Sequence, residues 1–396
     1  MSDPYDGLPS GVFNIPAQER IVHGQPAGAA VRAEAERLGA TRVFVVSGRS
    51  LGALADGPLQ RVQAALGERH AGTYAAVRAH SPREDVIAAA EAARSAGADL
   101  LVGVGGGSAI DAAKAVQVCL WQGLRTPEAM EPYRTGAASS IARPIDPPPG
   151  AIRMLAVSTT LSAPEFTGMA GITDSATQAK QMFAHRLMVP RTAILDPAAT
   201  LHTPEGLLYS TAIRSVDHAV ECWCSPMATP ATEALSLQGL RLLARALPAI
   251  QANPLDLAPR LDAQFGMWQA VAALAAGVQT GASHGIGYAL GAGFGVAHGH
   301  TSCVMLPAVL RWNAAVNAGR QQALAEAMGD PGRPAHELVA GLIRRLGQPG
   351  SLREVGLRED QLADLAQRAL AYPPVQANPR PIRGVDEVRE ILALAW

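Results

Sequence analysis

The sequence predicts two domains, an α/β domain with a parallel sheet over residues 1–197 and an all-α domain over residues 198–396. Short apolar runs alternate with Ala-rich stretches in the first half, which is typical of strand–helix–strand units. The pattern becomes helical after Leu195-Asp196-Pro197. A chain of 396 residues is also longer than one hydrophobic core usually holds.

The elements of the first domain follow from their hydrophobic patterns. Buried strands are predicted at 42–47, 99–104 and 153–158. Helices are predicted at 53–66, at 84–96 and from about Ala109 to Trp121. The run PIDPPPG at 144–150 is predicted to be a rigid loop inside this domain.

The second domain has helical signals throughout. Thr203-Pro204-Glu205 indicates a helix start, and residues 230–250 are strongly periodic. A Gly-rich segment at 281–299 follows, and we expect helices again from about residue 304. Pro and Gly predict breaks near 331, 347 and 373.

Composition excludes several classes of protein. The formal net charge is −1 and no long run has one sign, which argues against nucleic acid or an anionic membrane as partner. Apolar stretches end well short of a membrane span. The first eleven residues lack the features of a signal peptide, and we expect a cytoplasmic protein. The spacing Cys222-x-Cys224 is too short for a typical zinc site, so we expect reduced thiols.

Lysine is nearly absent: of 33 basic residues, only Lys114 and Lys180 are lysines. Lys114 follows a Gly-rich turn, Gly105-Gly106-Gly107-Ser108, between a predicted strand and a predicted helix. Such a turn lets the backbone approach a ligand, and the helix N-terminus favours a pyrophosphate. Asp111 and Lys114 lie one helical turn apart. Lys114 either points back to this turn or forms a surface pair with Asp111.

Several motifs together resemble the iron-containing alcohol dehydrogenase family, which includes the maleylacetate reductases. They cover roughly residues 20–320 and are GGGSAIDAAK, STTLS with Glu165, ITD with Lys180, Asp196-Pro197, HAVE from His218, HGIG from His284, and His298-Gly299. The resemblance implies the dehydroquinate synthase-like two-domain fold, an NAD(P) site, and an active site in the cleft between the domains. It also implies a homodimer or larger assembly.

The resemblance assigns the cofactor site. It implies that Gly105, Gly106, Gly107 and Ser108 hold the pyrophosphate, followed on the helix by Asp111 and Lys114. Thr159, Thr160 and Ser162 would lie near the cofactor, and Lys180 near its ribose. Ser162 stands where the family usually has Gly.

The coenzyme preference is read from the turn after the first predicted strand. Family members often have there an Asp that binds the adenosine ribose, and this chain has Gly48 followed by Arg49. Losing the carboxylate removes repulsion of a 2′-phosphate, and Arg49 can pair with that phosphate. We therefore expect NADPH to be accepted. The alternative is an ordinary turn with Arg49 in solvent.

The metal site of the family is altered here. Iron-dependent members use an Asp and three His, with the Asp four residues before the first His. His218, His284 and His298 match, but Arg214 occupies the Asp position. A guanidinium is always charged and repels a metal ion, so we expect none to bind.

Alternatives remain at this site. Asp217 lies about 100° around the helix from His218 and would replace the missing ligand only after a local register change. Arg214 either binds a substrate carboxylate, polarises a carbonyl as the metal would, or forms an ion pair with Glu221 or Asp217. The alternative for each histidine is a core residue without a catalytic role, whose ring nitrogens are hydrogen-bonded.

Tyr288 stands where dehydrogenases of the family often have a further His linked to proton transfer. It can still act as an acid or orient a carbonyl, or it packs in the cleft wall.

We therefore predict a metal-independent NAD(P)H-dependent reductase similar to maleylacetate reductase, acting on a small carboxylated oxo substrate. Arg214, His218, His284, Tyr288 and His298 would carry the chemistry. The first alternative is a metal-dependent alcohol dehydrogenase or aldehyde reductase, with the three histidines and either Asp217 or water as ligands. A lyase like dehydroquinate synthase and a non-catalytic nucleotide-binding protein are two others.

Overall fold

The computed structural model describes residues 12–396. The segment for which we predict no signal peptide, residues 1–11, lies outside the described residues. Within residues 12–396 there is no helix with both the length and the apolar character of a membrane span. The four cysteines are buried and free of disulfide bonds.

The first half contains strands and helices in alternation. The strands are β1 (Arg20–His23), β2 (Val43–Gly48), β3 (His70–Val77), β4 (Leu100–Gly105), β5 (Met154–Ser158), β6 (Met169–Asp174), β7 (Ala179–Ala184) and β8 (Thr192–Leu195). The helices are α1 (Ala27–Arg37), α2 (Arg49–Gly52), α3 (Pro58–Leu66), α4 (Arg83–Ser95) and α5 (Gly107–Trp121).

Six strands form one parallel sheet in the order β1-β8-β5-β4-β2-β3. Successive side chains of β4 alternate between its two faces: Leu101 packs with α4 and α5, and Val102 with α1 and α3. The sheet is therefore covered by helices on both faces. Strands β6 and β7 form a separate antiparallel hairpin, here called the β6–β7 hairpin.

The second half is helical, as predicted. Its helices are α6 (Glu205–Cys224), α7 (Pro230–Ala252), α8 (Leu257–Ala275), α9 (Ala282–Phe294), α10 (His298–Ala327), α11 (Ala335–Arg345), α12 (Leu362–Ala369), α13 (Pro373–Gln376) and α14 (Val385–Leu394). One core joins α6, α7, α8, α10 and α11, and another joins α9, α10, α12 and α14. The predicted fold class is confirmed; the domain boundary at residue 197 stays a prediction.

The Gly-rich segment corrects one expectation. Residues 281–299 were expected to separate helices, but they form α9 and the start of α10. Gly285 and Gly287 lie inside α9, where other residues of the protein pack closely against the helix. An added Cβ on Gly285 would lie 2.4 Å from Val375, and one on Gly287 would lie 3.0 Å from Thr301. Close packing explains these glycines.

Candidate active site

The Gly-rich turn lies at the carboxyl end of β4, where parallel α/β sheets bind ligands. Gly105 has φ of +144°, a conformation that favours glycine. An added Cβ on Gly106 would lie 2.8 Å from Thr160 Cγ2. Helix α5 begins at Gly107, and its first turn contains no acidic residue and has no side-chain cap from residues 12–396. These features fit a bound pyrophosphate.

The loop after β5 packs against this turn. The amide of Thr159 donates to the Gly105 carbonyl at 3.0 Å, and the hydroxyls of Thr160 and Ser162 lie 3.1 Å apart. Ser215 of α6 donates to a carbonyl of this loop at 2.6 Å. The loop therefore connects the turn with the helical half.

Asp111 and Lys114 contact the β6–β7 hairpin. Asp111 accepts from the Gly171 amide at 3.0 Å, and the Lys114 ammonium donates to the Met169 carbonyl at 2.7 Å. Lys114 is fully buried, 3.9 Å from Asp111, so their pair is not a surface pair. Both side chains join the hairpin to α5, and their predicted role in holding the cofactor stays a prediction.

Glu165 is buried beside Lys114. Neither carboxylate oxygen has a hydrogen-bond partner among residues 12–396. Burial raises the pKa of Glu165 to about 7, although the charge of Lys114 opposes the rise. Burial lowers the pKa of Lys114 to about 8, opposed by Asp111 and Glu165. These two groups form a buried pair whose charged forms are poorly solvated.

The structure also places the remaining predicted cofactor residues. Ser108 accepts from the His80 amide at 3.0 Å. Gly48 ends β2 at the same edge of the sheet, and exposed Arg49 donates to the Ala76 carbonyl at 3.2 Å. Lys180 is exposed on β7, and its charge contributes, after Arg214 and burial, to the lowered pKa of His298.

The five predicted catalytic side chains gather in one cluster. Helix α6 carries Arg214 and His218 one turn apart, α9 carries His284 and Tyr288, and α10 begins with His298. The His218 and His284 rings have centroids 4.9 Å apart. The Tyr288 and His298 rings are parallel at 6.2 Å. The structure thus brings together residues separated by up to 84 positions.

Arg214 is almost completely buried inside this cluster. Its guanidinium donates to the Ser302 hydroxyl at 2.9 Å and lies 3.7 Å from the Asp217 carboxylate. It also lies 5.5 Å from the centre of the Tyr288 ring. Its Nε is buried without a partner among the described residues. Of the alternatives for Arg214, the ion pair with Asp217 is present.

Asp217 lies in the cluster although α6 has no register change; the expectation that it would replace the missing ligand only after such a change stays a prediction. Helix α6 is continuous, yet the carboxylate accepts from Ser283 at 2.8 Å and from Ser302 at 2.6 Å, and lies 3.4 Å from His284 Nδ1. The 100° offset from His218 is unimportant, because α9 and α10 bring their residues to the Asp217 face. Burial raises its pKa, but His284 and Arg214 outweigh this and leave the pKa lowered.

Glu221 is a site residue that sequence reasoning missed as a functional group. It accepts from the amides of Gly281 and Ser283, each at 2.8 Å, and from His284 Nδ1 at 2.7 Å. Glu221 therefore both caps the N-terminus of α9 and orients the ring of His284. Its position four residues after Asp217 was an available signal.

Three further site residues were missed because no local pattern marks them. Ser283 and Ser302 hold Asp217, and Tyr372 packs 5.8 Å from Tyr288.

The pKa values of the three histidines are shifted in different directions. Burial and Arg214 lower the pKa of His284, but Asp217 and Glu221 outweigh them and leave the pKa raised. Burial, then His284 and Arg214, hold the pKa of His218 well below its ordinary value. The charge of Arg214 and then burial do the same at His298. The site therefore favours a charged His284 beside two neutral imidazoles.

The residues present do not fit a divalent metal ion well. His218 Nδ1 and His284 Nε2 are buried and unpartnered among the described residues, and Asp217, Glu221 and His284 place one ligand atom each within 4.8 Å of one another. Glu221 already accepts from amides and His284, however, and the Arg214 cation lies 3.7 Å from Asp217. A fixed charge at that distance weakens cation binding.

Comparison with known proteins agrees with these observations. Residues 18–197 match the family model described as iron-containing alcohol dehydrogenase, and residues 209–396 match the C-terminal model of the Fe-containing alcohol dehydrogenase family. The chain is 31% identical to Dehydrogenase FUM7 of Gibberella moniliformis over 95% of both chains. It is 30% identical to a maleylacetate reductase of Burkholderia cepacia, again over 95% of both. The crystal structure of maleylacetate reductase from Agrobacterium tumefaciens superposes with a TM-score of 0.82, at 26% identity, over 98% of this chain and 99% of that one.

Proposed function

Because the chain belongs to the iron-containing alcohol dehydrogenase family of NAD(P)-dependent oxidoreductases, we propose that it reduces a small carboxylated oxo substrate without a metal ion. This substrate class is the one implied by maleylacetate reductase, the name of several relatives of the chain.

The observation that carries the proposal is the position of Arg214. Its contacts with Ser302 and Asp217 use one terminal nitrogen, and the buried Nε has no partner among residues 12–396. A guanidinium edge of this kind binds a carboxylate through two hydrogen bonds. Its charge also stabilises negative charge that develops on a substrate oxygen. Arg214 therefore supplies the positive charge that a metal ion supplies elsewhere in the family.

His284 is the proposed acid. Asp217 and Glu221 both approach Nδ1, which orients the ring and favours its charged form. This leaves Nε2, buried and unpartnered, to donate a proton to the substrate. His218 and His298 stay neutral and orient the substrate, with Tyr288 as a hydrogen-bond donor.

The first half of the chain holds the coenzyme. Gly105, Gly106 and Gly107 admit the pyrophosphate, with Thr160 and Ser162 beside them. When bound, the nicotinamide supplies the hydride. Gly48 and Arg49 favour acceptance of NADPH, because no carboxylate opposes a 2′-phosphate at the end of β2.

The test is the oxidation of NADPH or NADH by purified protein treated with a chelator, with maleylacetate as substrate. Full activity at metal contents far below one ion per chain is the expected result. Activity that returns only with added iron or zinc, and on simple alcohols, would overturn the proposal.

A metal-dependent alcohol dehydrogenase or aldehyde reductase is the second candidate. The unpartnered His218 Nδ1 and His284 Nε2, and the carboxylate of Asp217 turned into the cluster, favour it. Mass-spectrometric metal analysis of the protein as isolated separates the two candidates.

We also propose that the protein is cytoplasmic and forms a homodimer. Subcellular fractionation tests the location, and the mass of the protein in solution tests the assembly.

A further inference from the structure

The hydroxyl of Ser302 bridges two buried charges of the active-site cluster. It accepts a hydrogen bond from Arg214 Nη1 at 2.9 Å and donates one to Asp217 Oδ2 at 2.6 Å. The hydroxyl hydrogen points to Asp217, because a guanidinium can only donate and an ionised carboxylate can only accept. Ser302 is fully buried and lies on α10, one turn after His298.

Arg214 and Asp217 do not bond directly. Nη1 and Oδ2 are 3.7 Å apart, beyond hydrogen-bonding distance. The two residues lie three positions apart on α6, where side chains are neighbours. Opposite charges in contact form charge-assisted hydrogen bonds of about 2.8 Å, so a small movement would complete this pair.

The two charged groups differ in how firmly they are held. Asp217 Oδ2 also accepts from Ser283 at 2.8 Å and lies 3.4 Å from His284 Nδ1. The guanidinium of Arg214 has Ser302 as its one hydrogen-bond partner within residues 12–396. Removal of the Ser302 hydroxyl would therefore release the guanidinium and leave the carboxylate in place.

Arg214 also has a donor to spare. Its side chain keeps 3% of its exposure, and its second terminal nitrogen, Nη2, makes no hydrogen bond in the described part of the chain. A guanidinium in this state can still donate to a substrate carboxylate. A direct pair with Asp217 would turn the guanidinium towards the protein instead.

We propose that Ser302 is a positioning residue that keeps Arg214 available to the substrate, because its hydroxyl occupies the gap in which Arg214 and Asp217 would otherwise pair. This inference rests on the proposed function, in which Arg214 binds a substrate carboxylate. Ser302 touches neither substrate nor coenzyme in this role. It acts through Arg214, and it sets the affinity for carboxylated substrates.

The experiment is calorimetric titration of the whole protein, saturated with NADPH, with adipate. Adipate is a dicarboxylate without an oxo group to reduce, so its dissociation constant reports carboxylate binding separately from chemistry. Ser302→Ala should raise this constant about tenfold, because Arg214 turns away from the substrate. In steady-state kinetics with maleylacetate, the same variant should raise KM about tenfold and leave kcat nearly unchanged.

A double variant separates positioning from a loss of folding. When Ser302 is already alanine, removing the charge of Asp217 deprives Arg214 of its competing partner. Ser302→Ala/Asp217→Asn should therefore bind adipate more tightly than Ser302→Ala, by about threefold or more. Ser236→Ala is the matched control and should bind as wild type, since Ser236 is buried on α7 and its hydroxyl has no partner among the described residues.

The results distinguish this inference from the proposed function. Wild-type affinity in Ser302→Ala, together with weakened binding in Arg214→Met, would overturn the role of Ser302 and leave the proposed function in place. A double variant that binds adipate no better than Ser302→Ala would overturn it as well. Wild-type affinity in Arg214→Met, or no binding of adipate to the wild type, would contradict the proposed carboxylate site itself.

Discussion

The guanidinium of Arg214 lies 3.7 Å from the carboxylate of Asp217, one turn along the same buried helix. The two groups have opposite charges, and both have almost no contact with water. Together they form an internal ion pair, and the hydroxyl of Ser302 contacts both groups. The consequences of this pair can be measured.

Replacing Arg214 should stop turnover of a carboxylated substrate. We expect Arg214→Met to lower kcat/KM at least 100-fold, because the carboxylate loses a bidentate partner. Arg214→Lys keeps the charge without the planar edge, so it should raise KM more than it lowers kcat. Steady-state kinetics with maleylacetate measure both, and Arg245→Met is the control. Wild-type kinetics in Arg214→Met would contradict the proposed role.

Restoring the family's carboxylate should restore metal binding. Arg214→Asp removes the repelling cation and places a carboxylate one turn before His218, on the same face of α6. We expect this variant to hold close to one zinc or iron ion per chain after dialysis, and the wild type to hold far less. Metal analysis of both proteins is the measurement. Equal stoichiometric metal in the two would favour the metal-dependent alternative.

His284 should be required for chemistry rather than for coenzyme binding. His284→Gln keeps a polar side chain but cannot donate a proton, and we expect kcat to fall by about 100- to 1,000-fold. The dissociation constant of NADPH, measured by fluorescence, should stay within twofold. His336→Gln on α11 provides a matched histidine control. If the control loses as much activity as His284→Gln, a specific role is excluded.

Arg49 should set the coenzyme preference. Arg49→Ala should raise KM for NADPH about tenfold and leave KM for NADH nearly unchanged, because only NADPH carries the 2′-phosphate. Gly48→Asp should add repulsion and shift preference further towards NADH. The ratio of kcat/KM for the two coenzymes is the readout. Parallel losses with both coenzymes would show that Arg49 affects the fold of the turn instead.

Glu165 should make stability depend on pH. Its folded pKa of about 7 exceeds its ordinary value of 4.5, so the folded state binds more protons between these values. Stability from this group is therefore fully present below pH 4.5 and is lost as pH rises towards 7, by about 3 kcal/mol. Urea unfolding at pH 5 and pH 7.5 should show this loss in the wild type and not in Glu165→Gln. Glu68→Gln, at an exposed site, should behave as wild type.

Some elements of the fold could be predicted because their signal is local. Strand β4 and helix α4 have patterns whose period alone marks them, and their bounds agree with prediction within a residue or two. Strand β3, with the sequence HAGTYAAV, was not predicted, since its half-buried pattern shows no clear alternation. The β6–β7 hairpin was also missed, because Asp111 and Lys114, far away in sequence, hold it in place.

The residues of the candidate site also differ in whether a local sequence signal marks them. Arg214, His218, His284, Tyr288 and His298 were identified from motifs, and the structure places them together. The orientation of Asp217 could not be predicted from α6 alone, because serines on α9 and α10 determine it. Contacts between elements distant in sequence leave no periodic pattern.

The attachment of the β6–β7 hairpin to α5 affects how the cleft would respond to motion. Lys180 lies on the β6–β7 hairpin, which Asp111 and Lys114 attach to α5, whereas His298 belongs to the helical half. If the halves rotate against each other, Lys180 moves with α5 and the histidines do not. The distance between Lys180 and His298 would then vary with the angle of the cleft. The contribution of Lys180 to the lowered pKa of His298, which is smaller than those of Arg214 and burial, would vary with it.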